Sequence, residues 1–423
     1  MKKALIMALV FVMAFALVGC DLFGGNTTTT TEQITADTEN FIPISTATEL
    51  AAIEMDKSYI LTADIDISDL EWEPIGTYME PYLGIFDGDG FTISGLTITS
   101  NLFDSYGLFG FMKGEVRDLI MTDVSIDYTT SYLTYAGGIA GFTFGSITGS
   151  SVNGEITIKN YASNTYAGLL TGYAQAEITQ TTTIEDFTPG LIQNNEVNGT
   201  LNVEAGEIAY LGGMIGKTYN VSVNNNTSIT HVNVIAEGTD LPVYVGGFIG
   251  HNYGGILTNF PTEVDDVNIY IEDNVSCSVI SVTNTAANLF VGGFLGFNQK
   301  GYVRDNFSQS SITMDGTLSE ANTVRVGGFL GENFESQIES VVVDININSD
   351  DFVGDFQKSI YVAGRFTELL AEDIYITGMT AILPDTGDDI TLIQASDLLN
   401  PNFYQDSLGW SVEFSNLIIS LIE

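Results

Sequence analysis

The side chains that most often carry catalysis are scarce or uninformative in this 423-residue chain. Its two histidines, His231 and His251, lack the spacing around a glutamate that a zinc peptidase needs. No Gly-x-Ser-x-Gly elbow supplies a serine nucleophile. A glycosidase needs two carboxylates at a defined separation, but the 54 acidic residues make such pairs uninformative. The sequence therefore identifies no catalytic residue.

One segment, Asp87-Gly88-Asp89-Gly90, is similar to the start of a calcium loop. Calcium takes six to eight oxygen ligands, and this segment lacks the later acid of an EF-hand. No glycine-aspartate nonapeptide repeat accompanies it. We interpret the segment as a β-turn and expect no metal or other cofactor.

The strongest candidate for a binding surface is an aromatic residue that recurs at the start of a glycine-rich phrase, as in Tyr-Val-Gly-Gly-Phe-Ile-Gly at 244–250. Rings that repeat at a fixed spacing could stack on sugars or on a partner chain. The alternative is that long loops fold over the rings and leave them as packing. The candidate residues of this column are Tyr135, Tyr166, Tyr210, Tyr244, Phe290 and Tyr361.

Strand alternation predicts which side of the phrase carries these rings. A period of two places Val245 and Ile249 on one side. The other side then carries the rings of the column together with Phe248, Phe294 and Phe329. Arg325 and Arg365 interrupt this second side. Because an unpaired guanidinium is unfavourable in a dry core, we predict that the aromatic side faces outward.

The glycine phrase defines a repeat. Its last glycine falls at 110, 141, 172, 216, 250, 296 and 331, in steps of about 31 to 46 residues. Each copy is followed by short alternating runs with Asn, Gly or Asp at the corners, as in Gly301–Phe307. Such a unit cannot bury its own apolar face, but units stacked in register can, and parallel stacking pairs every backbone amide. The predicted fold is all-β, a right-handed parallel β-helix (solenoid).

The excess repeat length predicts loops, notably Thr179 to Gln193 and Phe260 to Val279. The open ends of the solenoid need lids. A Thr46-x-x-Glu49 capping box predicts a short N-terminal helix for one end. The non-repeating segment 391–423 would form the C-terminal cap, which leaves 41–390 as the β-helix.

The N-terminus predicts export. Lys2 and Lys3 precede an apolar run and then Leu17-Val18-Gly19-Cys20, which is typical of a secretory signal. The segment Leu17–Cys20 resembles a bacterial lipobox. This resemblance implies cleavage after residue 19 and lipidation of Cys20. Thr-rich residues 20–40 would then be a tether to the outer face of the membrane. The other cysteine, Cys277, is left without a disulfide partner within the chain.

Charge limits the partners. Removing Lys2 and Lys3 leaves 10 basic residues against 54 acidic ones, a net charge of −44. Such a field repels nucleic acid and anionic headgroups, so nucleic acid is not expected as a partner. The expected partners are the membrane, through the lipid anchor, and a glycan or a host matrix protein. A monomer is expected.

The Gly-Gly-Phe-Ile-Gly phrase with its following Gly-x-Ile corner resembles the GLUG repeat of bacterial surface proteins. The segments 47–53, 64–67, 72–76 and 86–93 resemble the part that leads into those repeats, as does Leu408-Gly409-Trp410 near the end. The match covers most of residues 41–410. It implies a right-handed parallel β-helix on an exported protein, in a family of adhesin-like proteins and stalk regions of streptococcal IgA-cleaving metallopeptidases. It transfers no catalytic residue.

Three functional hypotheses follow. The first is a lipid-anchored, acidic, extracellular β-helix that binds or adheres without catalysis. The second is a carbohydrate-active enzyme, a polysaccharide lyase or glycosidase, which would require a groove with converging carboxylates. The third is a passive surface stalk, whose tyrosines would be covered and would bind nothing.

Overall fold

Parallel strands make up most of the described part of the chain. A computed structural model describes residues 40–177, 187, 189–237, 241–254, 269–284, 288–317, 323–349, 352–353, 357–359, 366–367, 370–377, 390–393 and 396–422, with strands alone from 352 to 392. Residues 41–423 form one compact unit. The predicted signal (1–19), Cys20, the tether up to residue 39 and Tyr361 lie outside the described residues.

The strands follow one another with short connections. Up to residue 112 they are β1 (Ile42–Ile44), β2 (Tyr59–Leu61), β3 (Ile65–Asp66), β4 (Ile85–Asp87), β5 (Thr92–Ser94), β6 (Thr97–Ile98), β7 (Ser105–Tyr106) and β8 (Phe109–Met112). They continue as β9 (Glu115–Arg117), β10 (Ile120–Thr130), β11 (Thr134–Ala136), β12 (Ala140–Thr143), β13 (Ser146–Thr148), β14 (Ser151–Asn160), β15 (Thr165–Ala167), β16 (Thr171–Gln175), β17 (Gly190–Gln193), β18 (Glu196–Ala205), β19 (Ala209–Gly212), β20 (Ile215–Tyr219) and β21 (Val221–Asn224). The remaining strands are β22 (Thr227–Ala236), β23 (Pro242–Gly246), β24 (Ile249–Tyr253), β25 (Tyr270–Glu272), β26 (Val275–Asn284), β27 (Asn288–Gly292), β28 (Leu295–Gln299), β29 (Tyr302–Thr317), β30 (Val324–Gly327), β31 (Leu330–Phe334), β32 (Gln337–Asn348), β33 (Phe352–Val353), β34 (Gln357–Ser359), β35 (Phe366–Thr367), β36 (Leu370–Thr377) and β37 (Ile390–Leu392). The helical elements are α1 (Ala47–Leu50), a π-helical turn (Phe403–Ser407) and α2 (Val412–Ile422).

These strands form three sheets, one of 21 strands (sheet I) and two of eight (sheets II and III). Sheet II contains β7, β11, β15, β19, β23, β27, β30 and β34, and sheet III contains the strand that follows each of these. A repeat thus passes through sheet II, sheet III and sheet I before the next repeat begins. We call one such repeat a rung.

Successive glycine phrases lie beside each other in register. Tyr244 pairs with Tyr210 on one side and with Phe290 on the other, and every pairing in this sheet is parallel. The predicted all-β fold with stacked parallel strands is therefore confirmed. The loop predictions were too long, because β17 begins at Gly190 and β25 at Tyr270, inside the two segments expected to be loops.

The core forms because one face of each strand is apolar. In β22 alternate residues are buried along the strand, among them Val232 and Val234. Phe248, Phe294 and Phe329 also stack inside the core, with ring centroids 4.7 and 4.8 Å apart.

The sequence prediction for those three phenylalanines was wrong, because it placed them on the outer side with the tyrosines. β23 ends at Gly246 and β24 begins at Ile249, so the chain bends between them and the alternation does not continue. Glycine is required at this bend: a Cβ on Gly247 would lie 2.1 Å from the Gly293 carbonyl oxygen. Phe248 follows the bend and points inward, fully buried.

A second device shapes the corner within sheet I. Four buried asparagines form a ladder in which each side-chain oxygen accepts a hydrogen bond from a backbone N–H of the preceding rung, at 2.9 to 3.0 Å. The residue before each has a positive φ of 53 to 58°, a conformation that Asn and Asp tolerate. The asparagine ladder consists of Asn195, Asn226, Asn274 and Asn306.

The two predicted caps differ in what the structure shows. In α1, the Thr46 side chain accepts from the Glu49 N–H at 3.2 Å and Glu49 accepts from the Ser45 N–H at 2.9 Å, so the capping box is present. Leu50 of this helix is part of the main core. The C-terminal residues instead pack sideways across three rungs of sheet I, against Val275, Phe307 and Val342. Whether either segment closes an end of the stack stays a prediction.

Candidate functional site

The five described residues of the predicted aromatic column lie on the outer side of sheet II. Tyr135, Tyr166, Tyr210 and Tyr244 are partly exposed, and Phe290 is 9% exposed. Parallel in-register pairing places each ring directly beside the ring of the next rung. Successive centroids are 4.9, 4.7, 5.3 and 5.2 Å apart, with interplanar angles of 13 to 29°. The column is a continuous stack.

A second column, which the sequence analysis missed, lies beside the first on sheet III. Its side chains are in register from rung to rung. The signal was present in the sequence, because each residue directly follows the last glycine of a phrase. The column consists of Phe111, Phe142, Tyr173, Lys217, His251 and Phe297.

The two columns contact each other across the bend between sheets II and III. Tyr166 and Tyr173 stack at 5.3 Å, and Tyr244 lies 5.4 Å from Phe297. Close approach of the two sheets depends on the last glycine of the phrase, since a Cβ on Gly250 would lie 2.4 Å from the Leu211 nitrogen. We call the two columns together the aromatic strip.

The geometry of the strip decides which parts of the rings a ligand can reach. Because the rings of the first column stack on one another, most of each ring face is covered by the rung above and the rung below. Ring edges and phenolic hydroxyls are what remain for contact. Burial raises the pKa of Tyr135 and of Tyr244 to about 12, so these phenols are neutral at physiological pH. The strip therefore offers an apolar edge with hydrogen-bonding hydroxyls, as amphipathic binding surfaces do.

One histidine belongs to the strip. The His251 ring lies between Tyr210 and Tyr244, at 5.4 and 5.3 Å, and is 6% exposed. Burial and the nearby Lys217 charge hold the pKa of His251 well below its usual value, so the ring is neutral. His251 thus occupies a rung position as a neutral aromatic member of the stack.

In the last fully described rung, an ion pair occupies the positions of the two columns. Arg325 is in register with Phe290 and Glu332 with Phe297, and the two form a salt bridge. The Arg325 guanidinium also lies 5.3 Å from the centre of the Phe290 ring. The arginine that interrupted the sequence pattern is thus neutralised by Glu332, which follows the last glycine of the same phrase. Arg365 lies outside the described residues.

A cavity of about 640 Å³ on the outer face of sheet I brings His231, Cys277 and Asp344 to one lining. These are residue types of a cysteine hydrolase, but burial and then the Asp344 charge raise the pKa of Cys277 to about 12. The thiolate is the nucleophilic form, so this thiol is a poor one. No group of three or more metal-ligating side chains occurs among the described residues. Within that same part of the chain, every helix is too short or too polar to cross a membrane.

Comparison with known proteins gave little. Neither a family model nor a curated protein matches the chain. A solved structure from Bacteroides ovatus, described as a "putative immunoglobulin A1 protease", is similar to the chain at 16% identity and a TM-score of 0.40. The similarity covers 86% of this chain and 87% of the other. A similarity this distant supports no inference about function.

Proposed function

We propose that this chain is a lipid-anchored bacterial surface protein of the GLUG-repeat type that binds a ligand along its aromatic strip and does not catalyse a reaction. In this proposal the three parallel sheets form a right-handed β-helix with an N-terminal and a C-terminal cap. The lipid on Cys20 holds the protein at the outer face of the membrane. The ligand is a glycan or a matrix protein.

The observation that carries the proposal is the strip itself. It continues across seven rungs, from Phe111 to the Arg325–Glu332 pair, with partly exposed tyrosines on one side. Folding by itself requires apolar side chains only inside the rungs, where Phe248 and Phe294 already stack. A second, outer aromatic stack is not needed to fill the core. Exposed tyrosines combine apolar area with a polar tip, which suits binding to sugars and proteins.

Two observations support a non-catalytic role. The thiol of Cys277 is held protonated. The buried His251 is held neutral among rings, with Lys217 as the nearby charge rather than a carboxylate partner that would make it a general base. The enzyme hypothesis needs converging carboxylates on a groove, and the only acid in the described strip, Glu332, is paired with Arg325.

The binding experiment is a glycan array and a pull-down on matrix proteins with residues 41–423. The test variant is the double substitution Tyr166→Phe and Tyr210→Phe, which removes two hydroxyls and keeps the ring stack. The matched control is Tyr302→Phe, a 42% exposed tyrosine on sheet I. Binding that the double variant weakens and the control does not would support the proposal. Absence of any bound glycan or matrix protein would refute it.

The anchor has its own test. A bacterium that expresses the full chain is fed an alkyne-labelled fatty acid, and the label is expected on the wild-type protein. It should disappear in the Cys20→Ala variant. Label that persists in this variant would show that the lipobox interpretation is wrong.

A passive stalk is the second candidate, and one observation favours it. The ring faces of the strip cover one another, so the rings already have partners without a ligand. In that case the strip stabilises the stack from outside. Neither the wild type nor the double variant would then bind a glycan or a matrix protein. Replacement of Tyr210 by Ala would lower the thermal stability, because it removes a ring from the stack.

A further inference from the structure

The positive charges whose side chains the structure describes are almost all neutralised locally. The structure describes the side chains of eight lysine and arginine residues, and Lys358 only as part of strand β34. Seven of them lie within salt-bridge distance of a carboxylate. These pairs are Lys57–Asp56, Lys113–Glu177, Arg117–Asp87, Lys159–Glu204, Lys300–Glu335, Arg304–Glu272 and Arg325–Glu332. Among these described side chains, Lys217 is the one cation without a carboxylate partner.

Lys217 lies in the middle of the aromatic strip. It occupies the second column between Tyr173 and His251, where other rungs carry a ring. Its Nζ lies 4.5 Å from the centre of the Tyr210 ring, 5.5 Å from that of Tyr173 and 5.9 Å from that of Tyr166. Three tyrosine rings therefore surround one ammonium group at cation–π distance.

The electrostatics agree with the geometry. Burial lowers the pKa of Lys217 to about 8, and no carboxylate lies close enough to raise it. The group is still mostly charged at pH 7, so the strip holds a partly desolvated positive charge. A cation in such a surrounding gains most from an anion, because the interaction is weakly screened by water. Among the residues whose side chains the structure describes, no carboxylate is placed to fill this role.

We propose that Lys217 is an anion subsite of the aromatic strip, which binds a single anionic substituent, a carboxylate or a sulfate, on an otherwise neutral glycan. The ammonium group binds the anion, and the neighbouring phenolic hydroxyls and ring edges bind the neutral sugars on either side. This inference rests on the proposed binding function of the strip and adds the chemical class of the ligand to it.

The charge distribution limits the glycan to one or a few charges. The net charge of −42 repels a polyanion over its whole length. The next cation along the strip, Arg325, is already paired with Glu332. A continuous polyuronate would therefore meet one attractive site and a repulsive surface elsewhere. A glycan with an isolated charge avoids that repulsion.

The experiment is a glycan array in which each neutral oligosaccharide is printed beside its singly carboxylated and singly sulfated forms, with acidic peptides on the same slide. The proteins are residues 41–423 as wild type, Lys217→Met and Lys217→Arg. The matched control is Lys300→Met, since Lys300 directly follows strand β28 of sheet III and is paired with Glu335. Circular dichroism and thermal melting establish that each variant is folded.

We expect the wild type to bind a singly charged form more tightly than its neutral parent. Lys217→Met should weaken that binding about 10- to 100-fold, the range for a hydrogen bond to a charged group. Lys217→Arg should retain most of it, and Lys300→Met should not change it. The carboxylated and sulfated forms tell which anion is preferred.

Four results would overturn the inference. Equal binding of neutral and charged forms, or unchanged binding by Lys217→Met, would refute the anion subsite and leave the proposed binding function intact. Binding of acidic peptides alone, lost in Lys217→Met, would show that the ligand is a protein rather than a glycan. No bound glycan and no bound peptide would refute the subsite, and a negative pull-down on matrix proteins would then refute the proposed function as well.

Discussion

The asparagine ladder provides the sharpest test of how this stack is stabilised. Asn274 is fully buried. Its side-chain Nδ2 donates to the Val223 and Glu272 carbonyl oxygens at 2.8 Å and to the Asn306 side-chain oxygen at 3.0 Å. Its Oδ1 accepts from the N–H and the Nδ2 of Asn226, both at 3.0 Å. Asn274→Ala removes all five hydrogen bonds at once.

The free-energy loss expected for Asn274→Ala follows from the polar groups that the substitution leaves without partners. The Asn226 backbone N–H is left buried without an acceptor, which costs about 1–3 kcal/mol. The other broken bonds are each worth about 0.5–1.5 kcal/mol net, and some of their partners keep a second bond, as Asn226 Nδ2 does with the Ile192 carbonyl oxygen. We therefore expect about 4 kcal/mol, which corresponds to roughly a thousandfold increase in the opening of this corner.

The assay is hydrogen–deuterium exchange of the amides in β21, β22, β25 and β26, because a stacked chain opens locally and a single unfolding free energy is ill defined. Asn233→Ala is the matched control. Asn233 is exposed on β22 and donates one side-chain bond, to Asn202 at 2.9 Å, so its loss should cost less than about 1 kcal/mol. If the two variants exchange within tenfold of each other, the argument from orphaned buried groups is wrong.

Three further predictions concern stability. Burial and then the Asp305 charge raise the pKa of Asp273 to about 6, so ionisation of this carboxyl destabilises the fold as pH rises from 4 to 6. In urea titrations, Asp273→Asn should match the wild type below pH 4 and be more stable above pH 7, by only roughly 0.5 kcal/mol because the residue is exposed. Equal gains in stability at both pH values would contradict this. Burial lowers the pKa of Lys217 to about 8, so the charged form is disfavoured in the folded state at pH 7. Lys217→Met should therefore raise the stability by about 1–2 kcal/mol at pH 7, and melting temperatures should show that this gain shrinks as pH rises from 8 towards 10.5. A gain that stays constant with pH would mean that packing, rather than the charge, is responsible. A Cβ at Gly247 would lie 2.1 Å from the Gly293 oxygen and 2.1 Å from the Ser278 hydroxyl oxygen, so thermal melts should show that Gly247→Ala destabilises the fold by more than about 3 kcal/mol. The control is Gly190→Ala, which should be tolerated because its Cβ would lie 3.3 Å from a Val221 methyl. Similar losses of stability in both variants would refute the steric argument.

Features that depend on local chemistry were visible in the sequence. The recurrence of the glycine phrase predicted stacked parallel strands, because identical units with one apolar face bury it against each other. The Thr46–Glu49 capping box formed because its hydrogen bonds join residues three and four apart. The Asn and Asp corner residues likewise matched positions of positive φ.

Features that depend on neighbours in space were not visible. Period-two alternation holds only within one strand, so the bend at Gly247 turned Phe248 into the core against the prediction. The C-terminal residues pack against Val275 and Phe307, which belong to rungs much earlier in the chain. No sequence pattern predicted this contact.

The strip shows the same division. The sequence alone determined that a ring recurs in most repeats, since the glycine phrase that it opens is a local pattern. Only the tertiary structure decided that a second column lies against the first, and that Lys217 lies among three tyrosines with no described carboxylate beside it. The physical reason is that contacts between sheets are set by the angle of a bend and the register of pairing. Both emerge only when all rungs pack together.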